Sequence, residues 1–225
     1  QNDAYVVKLN AAGNAFLYGT YLGGSGADVA EAVTVDAAGR IYFTGNTASN
    51  NYDVTSGALQ TGNPGGTSAF LSIVDPSLSG AAGLYYSTYL GGSGSSEDAY
   101  GVSVNADGRI FVTGYTDSTN IKITGDAYRS TLAGGIDGYV TVIDPTGSGV
   151  AGLIYGTYFG GGSDDYVFSS TYSNGKLYFG GATTSVSGIA TTGALSVTNK
   201  GSTDGFAAVL TFPPTVTLSA STLAY

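Results

Sequence analysis

The sequence predicts an all-β protein that contains about three copies of a four-stranded unit and the beginning of a fourth. A heptad occurs three times in the 225 residues, as YGTYLGG at 18–24, YSTYLGG at 86–92 and YGTYFGG at 155–161. Its copies start 68 and 69 residues apart, and a near-constant interval of this kind indicates a repeat. Short β-branched and aromatic runs alternate with Gly, Asn and Asp turns, and no stretch has a helical period.

Each unit is predicted to contain four strands joined by tight turns. In the first unit the strands are DAYVVKLN (3–10), AFLYGTYL (15–22), AVTVD (32–36) and RIYFTGNT (40–47). A connection rich in Ser, Asn, Gly and Pro then runs through residue 66. The same order returns at SAFLSIVD (68–75), LYYSTYL (84–90) and YGVSVNADGRIFVTGYT (100–116), and again at GYVTVIDP (138–145), LIYGTYF (153–159), VFSSTY (167–172) and KLYFGGAT (176–183). GFAAVLTF (205–212) begins a fourth unit.

These landmarks divide the chain into repeat units and a C-terminal extension. The units are 3–67, 68–136 and 137–203, with a partial unit at 204–212 and an extension at 213–225. The extension contains Pro213 and Pro214, which cannot donate to a β-ladder, and then alternates like a new strand. It is predicted to pair with the chain's own last sheet, to open a following immunoglobulin-like module, or to be exchanged with a neighbouring subunit.

The four-stranded unit predicts a β-propeller-like array. Propeller blades are four-stranded sheets that stack face to face, so both faces of each sheet are buried. This burial accounts for strands such as 84–90 that lack a clean polar alternation, and for a charged fraction of only 10%. A closed propeller needs about four to eight blades. The array is therefore predicted to be part of a longer one or to close through other copies.

One stretch carries a resemblance to a known family. YSTYLGG at 86–92, followed by EDAYGVSVNADGRIFVTGYT at 97–116, resembles the SBBP family, the "seven-bladed β-propeller" repeats. The resemblance extends over residues 3–212 and implies a propeller fold. It also implies a place in large secreted or surface-exposed bacterial proteins, and it supplies no catalytic residues.

Composition excludes several classes of function. The net charge is −9, with seven Lys and Arg against sixteen Asp and Glu, which disfavours nucleic acids and anionic membranes as partners. The chain has no His and no Cys, which excludes Ser-His-Asp and Cys-His catalysis and the usual zinc sites. No apolar run reaches the ~18 residues that predict a membrane-spanning helix, so membrane insertion is not expected.

Acidic residues recur once per unit after the heptad. They are Asp28 and Glu31, Glu97 and Asp98, and Asp164 and Asp165. Carboxylates among loop carbonyls are ligands that Ca²⁺ prefers, so these six residues are candidate Ca²⁺ ligands. The favoured interpretation is solvated loop charges that discourage edge pairing. Glycosidase-type acid–base catalysis is disfavoured, because an active site would break the symmetry of the repeat. No catalytic or cofactor-binding residue is predicted.

Tyrosines form the most distinctive stripe of the repeat. Tyr18, Tyr86 and Tyr155 are candidate ligand-binding residues, because exposed tyrosines can stack on sugar rings. The heptad places a second tyrosine three positions later, at Tyr21, Tyr89 and Tyr158. Residues three apart on a strand face opposite sides, so the two cannot share one platform. Packing between blades, with hydroxyls bonded at the rim, is the favoured interpretation.

Together these observations predict a non-enzymatic structural or adhesive extracellular protein. It would be a scaffold within a large surface protein, or the self-assembling subunit of a filament or surface layer. Its partners would be other copies or neighbouring domains. The alternative is a carbohydrate- or protein-binding propeller module, with surface glycans as one class of ligand.

Overall fold

A computed structural model describes residues 2–212 and the backbone of residues 218–223. These ranges contain fourteen strands: β1 Ala4–Leu9, β2 Phe16–Leu22, β3 Asp28–Val35, β4 Ile41–Thr47, β5 Ser68–Val74, β6 Leu84–Tyr89, β7 Glu97–Val104, β8 Ile110–Thr116, β9 Asp137–Ile143, β10 Leu153–Phe159, β11 Asp165–Ser173, β12 Lys176–Thr183, β13 Asp204–Thr211 and β14 Leu218–Leu223. Two 3₁₀ turns, Gly80–Gly83 and Gly149–Gly152, precede β6 and β10. Within the same ranges, no helix is long and apolar enough to cross a membrane.

The strands form one two-stranded and three four-stranded antiparallel sheets. The first sheet is β1-β2, and the others have the orders β3-β4-β5-β6, β7-β8-β9-β10 and β11-β12-β13-β14. These are called sheets 1 to 4 in chain order. The prediction of an all-β, propeller-like array of four-stranded repeats is confirmed.

Sheets 2 and 3 each take their strands from two consecutive sequence units, whereas sheet 4 combines β11 and β12 of the third unit with β13 of the partial fourth unit and β14 of the extension. In sheet 2, β4 pairs with β5 from Ile41↔Val74 to Thr47↔Ser68, across the boundary between the first two units. The chain stays in one sheet across the long connection that follows β4, and it leaves a sheet at the Gly-Gly that ends each heptad. The structural blade is therefore offset by two strands from the sequence unit.

Inner strands hold neighbouring sheets together. β7 contacts β3, β4 and β5 of the sheet before it, and β11 contacts β7, β8 and β9 in the same way. The buried side chains between sheets form three clusters, one at each junction. Tyr86 belongs to the cluster between sheets 2 and 3, whereas Tyr89 belongs to the one between sheets 1 and 2. Sheets 2 and 3 are thus packed on both faces, as the low charge predicted.

The C-terminal strand β14 lies beside β13 of the same chain. Its pairing is antiparallel and runs from Gly205↔Leu223 to Leu210↔Leu218. β14 thereby takes the position that β6 and β10 occupy in sheets 2 and 3. The two prolines of the extension, Pro213 and Pro214, lie outside the described residues.

A bulge recurs at one position of the inner strands. The pairing register shifts between Ala30 and Ala32 in β3, between Ala99 and Gly101 in β7, and between Val167 and Ser169 in β11. A glycine lies opposite each bulge, at Gly45, Gly114 and Gly181. A Cβ at any of these glycines would overlap a backbone carbonyl oxygen of the bulged strand. The bulge therefore requires the glycine that the repeat keeps.

We expect Gly114→Ala to destabilise the protein strongly. Its Cβ would collide with the carbonyl oxygen of Asp98, and backbone must move to relieve the collision, at a cost on the order of 2 kcal/mol. The measurement is the thermal midpoint by circular dichroism. Gly125→Ala is the matched control, because no atom lies within 4 Å of the position that its Cβ would take. Equal midpoints for the two variants would contradict this account of the bulge.

Candidate functional site

The recurring carboxylates lie at the start of the inner strands. Asp28, Glu97 and Asp165 are the first residues of β3, β7 and β11, and all three are buried. Asp98, the second residue of β7, is buried too. The prediction of solvated loop charges is wrong for these four, because the inner strand begins earlier than the β-branched run indicated and takes the acidic residues into the junction between sheets.

Asp28 accepts hydrogen bonds from three residues in two segments. The amide of Gly24 donates to its Oδ2 at 2.8 Å, and the hydroxyl of Ser49 donates to the same oxygen at 2.9 Å. The hydroxyl of Thr47 donates to Oδ1. Gly24 follows the last strand of sheet 1, whereas Thr47 and Ser49 lie at the end of β4 in sheet 2. The carboxylate therefore ties the outgoing end of one sheet to the inner hairpin of the next.

The same arrangement returns at the next two junctions. At Glu97, the amide of Gly92 donates to Oε1 and Oε2 at 2.7 and 2.9 Å, and the hydroxyl of Thr116 donates to Oε1 at 2.9 Å. At Asp165, the amide of Gly161 and the hydroxyl of Ser185 donate to Oδ2 at 2.6 and 2.9 Å. We call each set of a glycine amide, a carboxylate and hydroxyl donors an inter-sheet clasp.

Burial raises the pKa of two clasp carboxylates, Glu97 and Asp165, and of Asp98, which follows Glu97 on β7. Burial raises the pKa of Glu97, and the hydrogen bonds from Ser118, Gly92 and Thr116 counteract part of this effect. Burial also raises the pKa of Asp165. Burial, together with the smaller effect of the negative charge of Glu31, raises the pKa of Asp98 to about 6, although Asn46 donates to its Oδ2 at 2.8 Å. Asp98 thus bridges sheets 2 and 3 through Asn46.

The six acidic candidates do not meet in one place. Glu97 and Asp98 are consecutive on β7 and face opposite sides, the clasp and Asn46. Glu31 lies exposed on β3, and Asp164 accepts a hydrogen bond from the amide of Ile136 at 3.1 Å. Among the residues that the structure describes, no three or more His, Cys, Asp or Glu side chains form a group that could hold a metal ion.

The heptad tyrosines lie in the packing between sheets, except in sheet 1. The hydroxyl of Tyr86 accepts a hydrogen bond from the amide of Leu59 at 3.2 Å, and that of Tyr155 accepts one from the amide of Tyr128 at 3.0 Å. Both rings are buried, so neither is open to a sugar in this structure. Tyr18 is half-buried on β2. The tyrosines therefore hold the long connection of a sheet against its outer strand.

An aromatic cluster at the junction of sheets 3 and 4 is a feature that the sequence pattern did not predict. Tyr100 stacks on Tyr115 with ring centroids 5.8 Å apart, Tyr166 stacks on Phe168 at 5.9 Å, and Tyr115 meets Tyr166 edge-on at 5.1 Å. Tyr100 and Phe168 are the bulged residues of β7 and β11. Phe168 is exposed, and the other three rings are partly exposed. Tyr100 and Phe168 share one position in the repeat, which Glu31 occupies in β3, and this was the sequence signal that could have indicated the cluster.

We expect the protein to be less stable above pH 7 than near pH 5, in part because of Asp98. Its folded-state pKa of about 6 lies above the ordinary value of 3.8, so its stabilising contribution is complete below pH 3.8 and is lost as the pH rises through 6. Asp98→Asn should raise the thermal midpoint at pH 7.5, by the equivalent of about 1–3 kcal/mol, and should flatten its change between pH 5 and 7.

The control for this change of charge is Asp126→Asn, which removes an exposed carboxylate. Thermal midpoints are measured from pH 4.5 to 8. If Asp98→Asn and Asp126→Asn have the same pH profile, the buried carboxylate does not govern this dependence.

Two stretches of the chain match a known repeat. Residues 17–53 and 86–122 match the family model SBBP, described as a beta-propeller repeat. Each match starts in the outer strand of one sheet and runs through a clasp and the inner hairpin of the next. The resemblance to this family that the sequence indicated is confirmed for these two stretches. No curated protein matches the chain.

Proposed function

We propose that this chain, which carries SBBP β-propeller repeats, is a non-enzymatic structural or adhesive module of an extracellular protein. It would serve as a rigid scaffold within a large surface protein, or as the subunit of a fibre or surface layer. The observation that carries the proposal is the inter-sheet clasp, which recurs at all three junctions between the described sheets.

The clasp supports a structural role because its hydrogen bonds engage the carboxylates that acid–base catalysis would need. Asp28, Glu97 and Asp165 accept hydrogen bonds from glycine amides and hydroxyls at the junctions. A buried carboxylate with several donors contributes to a fixed arrangement of its neighbours. A structural role requires the same hydrogen-bonded set at each junction, whereas a catalytic site would occupy one distinct position in the array.

The surface supports contacts with other chains. Only 10% of the residues are charged, and large apolar side chains are exposed on the first three strands, among them Tyr5, Phe16 and Tyr21. Apolar patches that remain exposed are typical of interaction surfaces. The extracellular location rests on the family resemblance, since these repeats are similar to those of secreted and surface-exposed bacterial proteins.

We expect the purified chain to associate into ordered assemblies as its concentration rises. Light scattering coupled to size exclusion gives the mass, and negative-stain electron microscopy gives the order. Tyr21→Asp should lower the assembled fraction at least severalfold, whereas Val186→Asp, which changes an equally exposed residue in the loop after β12, should not. A strictly monomeric chain at all concentrations would contradict the scaffold. Polysaccharide turnover that disappears in Asp164→Asn or Asp165→Asn would contradict the absence of an enzymatic role.

A carbohydrate-binding module is the second candidate, and the aromatic cluster of Tyr100, Tyr115, Tyr166 and Phe168 favours it. Aromatic rings at a surface stack on the apolar faces of sugars. If this role holds, Phe168→Ala should lower binding on a glycan array about tenfold or more. Val186→Ala is the control, because Val186 is exposed and lies outside the cluster. An array on which the parent chain binds no glycan eliminates this candidate.

A further inference from the structure

Among the described strands, β1 of sheet 1 has a free edge at the position where the equivalent strands of the other sheets pair with an inner strand. By the repeat, β1 corresponds to β5, β9 and β13, and each of those strands pairs with an inner hairpin through β4, β8 or β12. Within the described residues, β1 pairs with β2 on one side, and its other side carries no strand. Sheet 1 thus has the two outer strands of a blade without the inner two.

Side chains of β1 are exposed where their equivalents are buried. Tyr5 is 65% exposed, whereas Phe70 and Tyr139 at the same repeat position are 0% and 1% exposed. Leu9 is exposed as well, whereas Val74 and Ile143 are buried. The inner hairpin and the connection after it account for this burial in the complete sheets.

The facing strand of sheet 2 is uncovered in the same way. Val33 of β3 is 65% exposed, whereas Val102, its equivalent in β7, is 7% exposed. β7 packs against three strands of the sheet before it. β3 packs against sheet 1 mainly through β1. An open groove of about 690 Å³ lies between them, lined by Tyr5, Val7 and Val33 among others.

A second groove follows the outer strand of sheet 1. It has a volume of about 1040 Å³ and is lined by Tyr18, Thr20 and Tyr21 of β2, with residues of sheet 2 opposite. The equivalents of these three residues in sheet 2 bond to the connection that follows β4. Leu59 donates to Tyr86, Gln60 donates to Thr88 at 2.9 Å, and Tyr89 donates to the carbonyl of Ser49 at 2.7 Å.

We propose that sheet 1 is an acceptor site for an inner β-hairpin, with its connection, from a further repeat unit of the same type. The hairpin fills the first groove and pairs antiparallel with the free edge of β1. Its connection fills the second groove and bonds the tyrosines of β2. The residues 97–136, which are β7, β8 and the connection to β9, have this form.

The complete sheets fix the register of the proposed pairing. Thr47 pairs with Ser68, Thr116 with Asp137, and Thr183 with Asp204, at the start of the strand that corresponds to β1. The residue of sheet 1 at that position is Asp3. The threonine that ends the incoming hairpin therefore lies opposite Asp3. An unrelated strand would lack the bulge glycine and the apolar pattern that face Tyr5 and Val33.

The inference names the partner of the proposed scaffold and so rests on that proposal, but its experiment tests it separately. A labelled synthetic peptide with the sequence of residues 97–136 is titrated into the purified chain and followed by fluorescence anisotropy. We expect a one-to-one complex, a higher thermal midpoint, and protection of the β1 amides from hydrogen exchange. Tyr5→Asp should weaken binding at least tenfold, because Tyr5 lines the groove at the free edge of β1, whereas Val186→Asp should bind as the parent does.

A fusion keeps the test decisive if the peptide is poorly soluble. Residues 97–136 are joined directly to Asp3. This copies the natural order, in which Ile136 is followed by Asp137, the residue that corresponds to Asp3. The fusion should raise the thermal midpoint and protect β1, and the same fusion with Gly114→Ala in the added segment should not. Absence of both effects, binding that Tyr5→Asp leaves unchanged, or a groove occupied by a second copy of the chain would overturn the acceptor. Assembly that persists without peptide binding would overturn the acceptor and leave the scaffold intact.

Discussion

The structure depends on a buried carboxylate at each junction between sheets. A charge at such a place is costly unless several donors surround it, and the glycine amide with its hydroxyl partners supplies them. The donors come from two sheets, so satisfying Glu97 requires β6, β7 and the end of β8 to be in place together. This requirement fixes how one sheet follows another, which apolar packing alone would leave adjustable. Burial in that arrangement raises the pKa of Glu97 and of Asp165.

Apolar packing around the clasps explains the unusual composition. Inner strands cross the face of the preceding sheet, so even central strands such as β5 and β9 are buried along their whole length. Few charged side chains are buried there, and most of the other buried polar side chains are serine and threonine. The glycine opposite each bulge allows two backbones to approach where a Cβ would collide. Sheet 1 shows the converse, because Tyr5 and Tyr21 remain exposed where the described residues place no inner hairpin beside β1.

The proposed functions depend on which surfaces of the packed sheets remain exposed. The clasp carboxylates and the heptad tyrosines outside sheet 1 are engaged in the packing, whereas Phe168 at the bulge of β11 and the side chain of Tyr5 on β1 are exposed. The open edge has the shape and pattern of the repeat itself, so the scaffold and the acceptor are two aspects of one architecture. The cluster around Phe168 is the distinct feature of the junction between sheets 3 and 4.

The β class, the strands and the repeat could be predicted from the amino-acid sequence, because alternation, turn glycines and periodicity are local properties of the chain. The sequence also indicated that the tyrosines pack. Which strands share a sheet emerged only from the folded chain, since β4 pairs with a strand that lies beyond a long connection. The burial of Asp28 and Glu97 emerged in the same way, because their hydroxyl donors are far away in sequence and no local pattern shows them. The aromatic cluster escaped prediction for the same reason: Tyr100 and Phe168 meet only when two sheets stack.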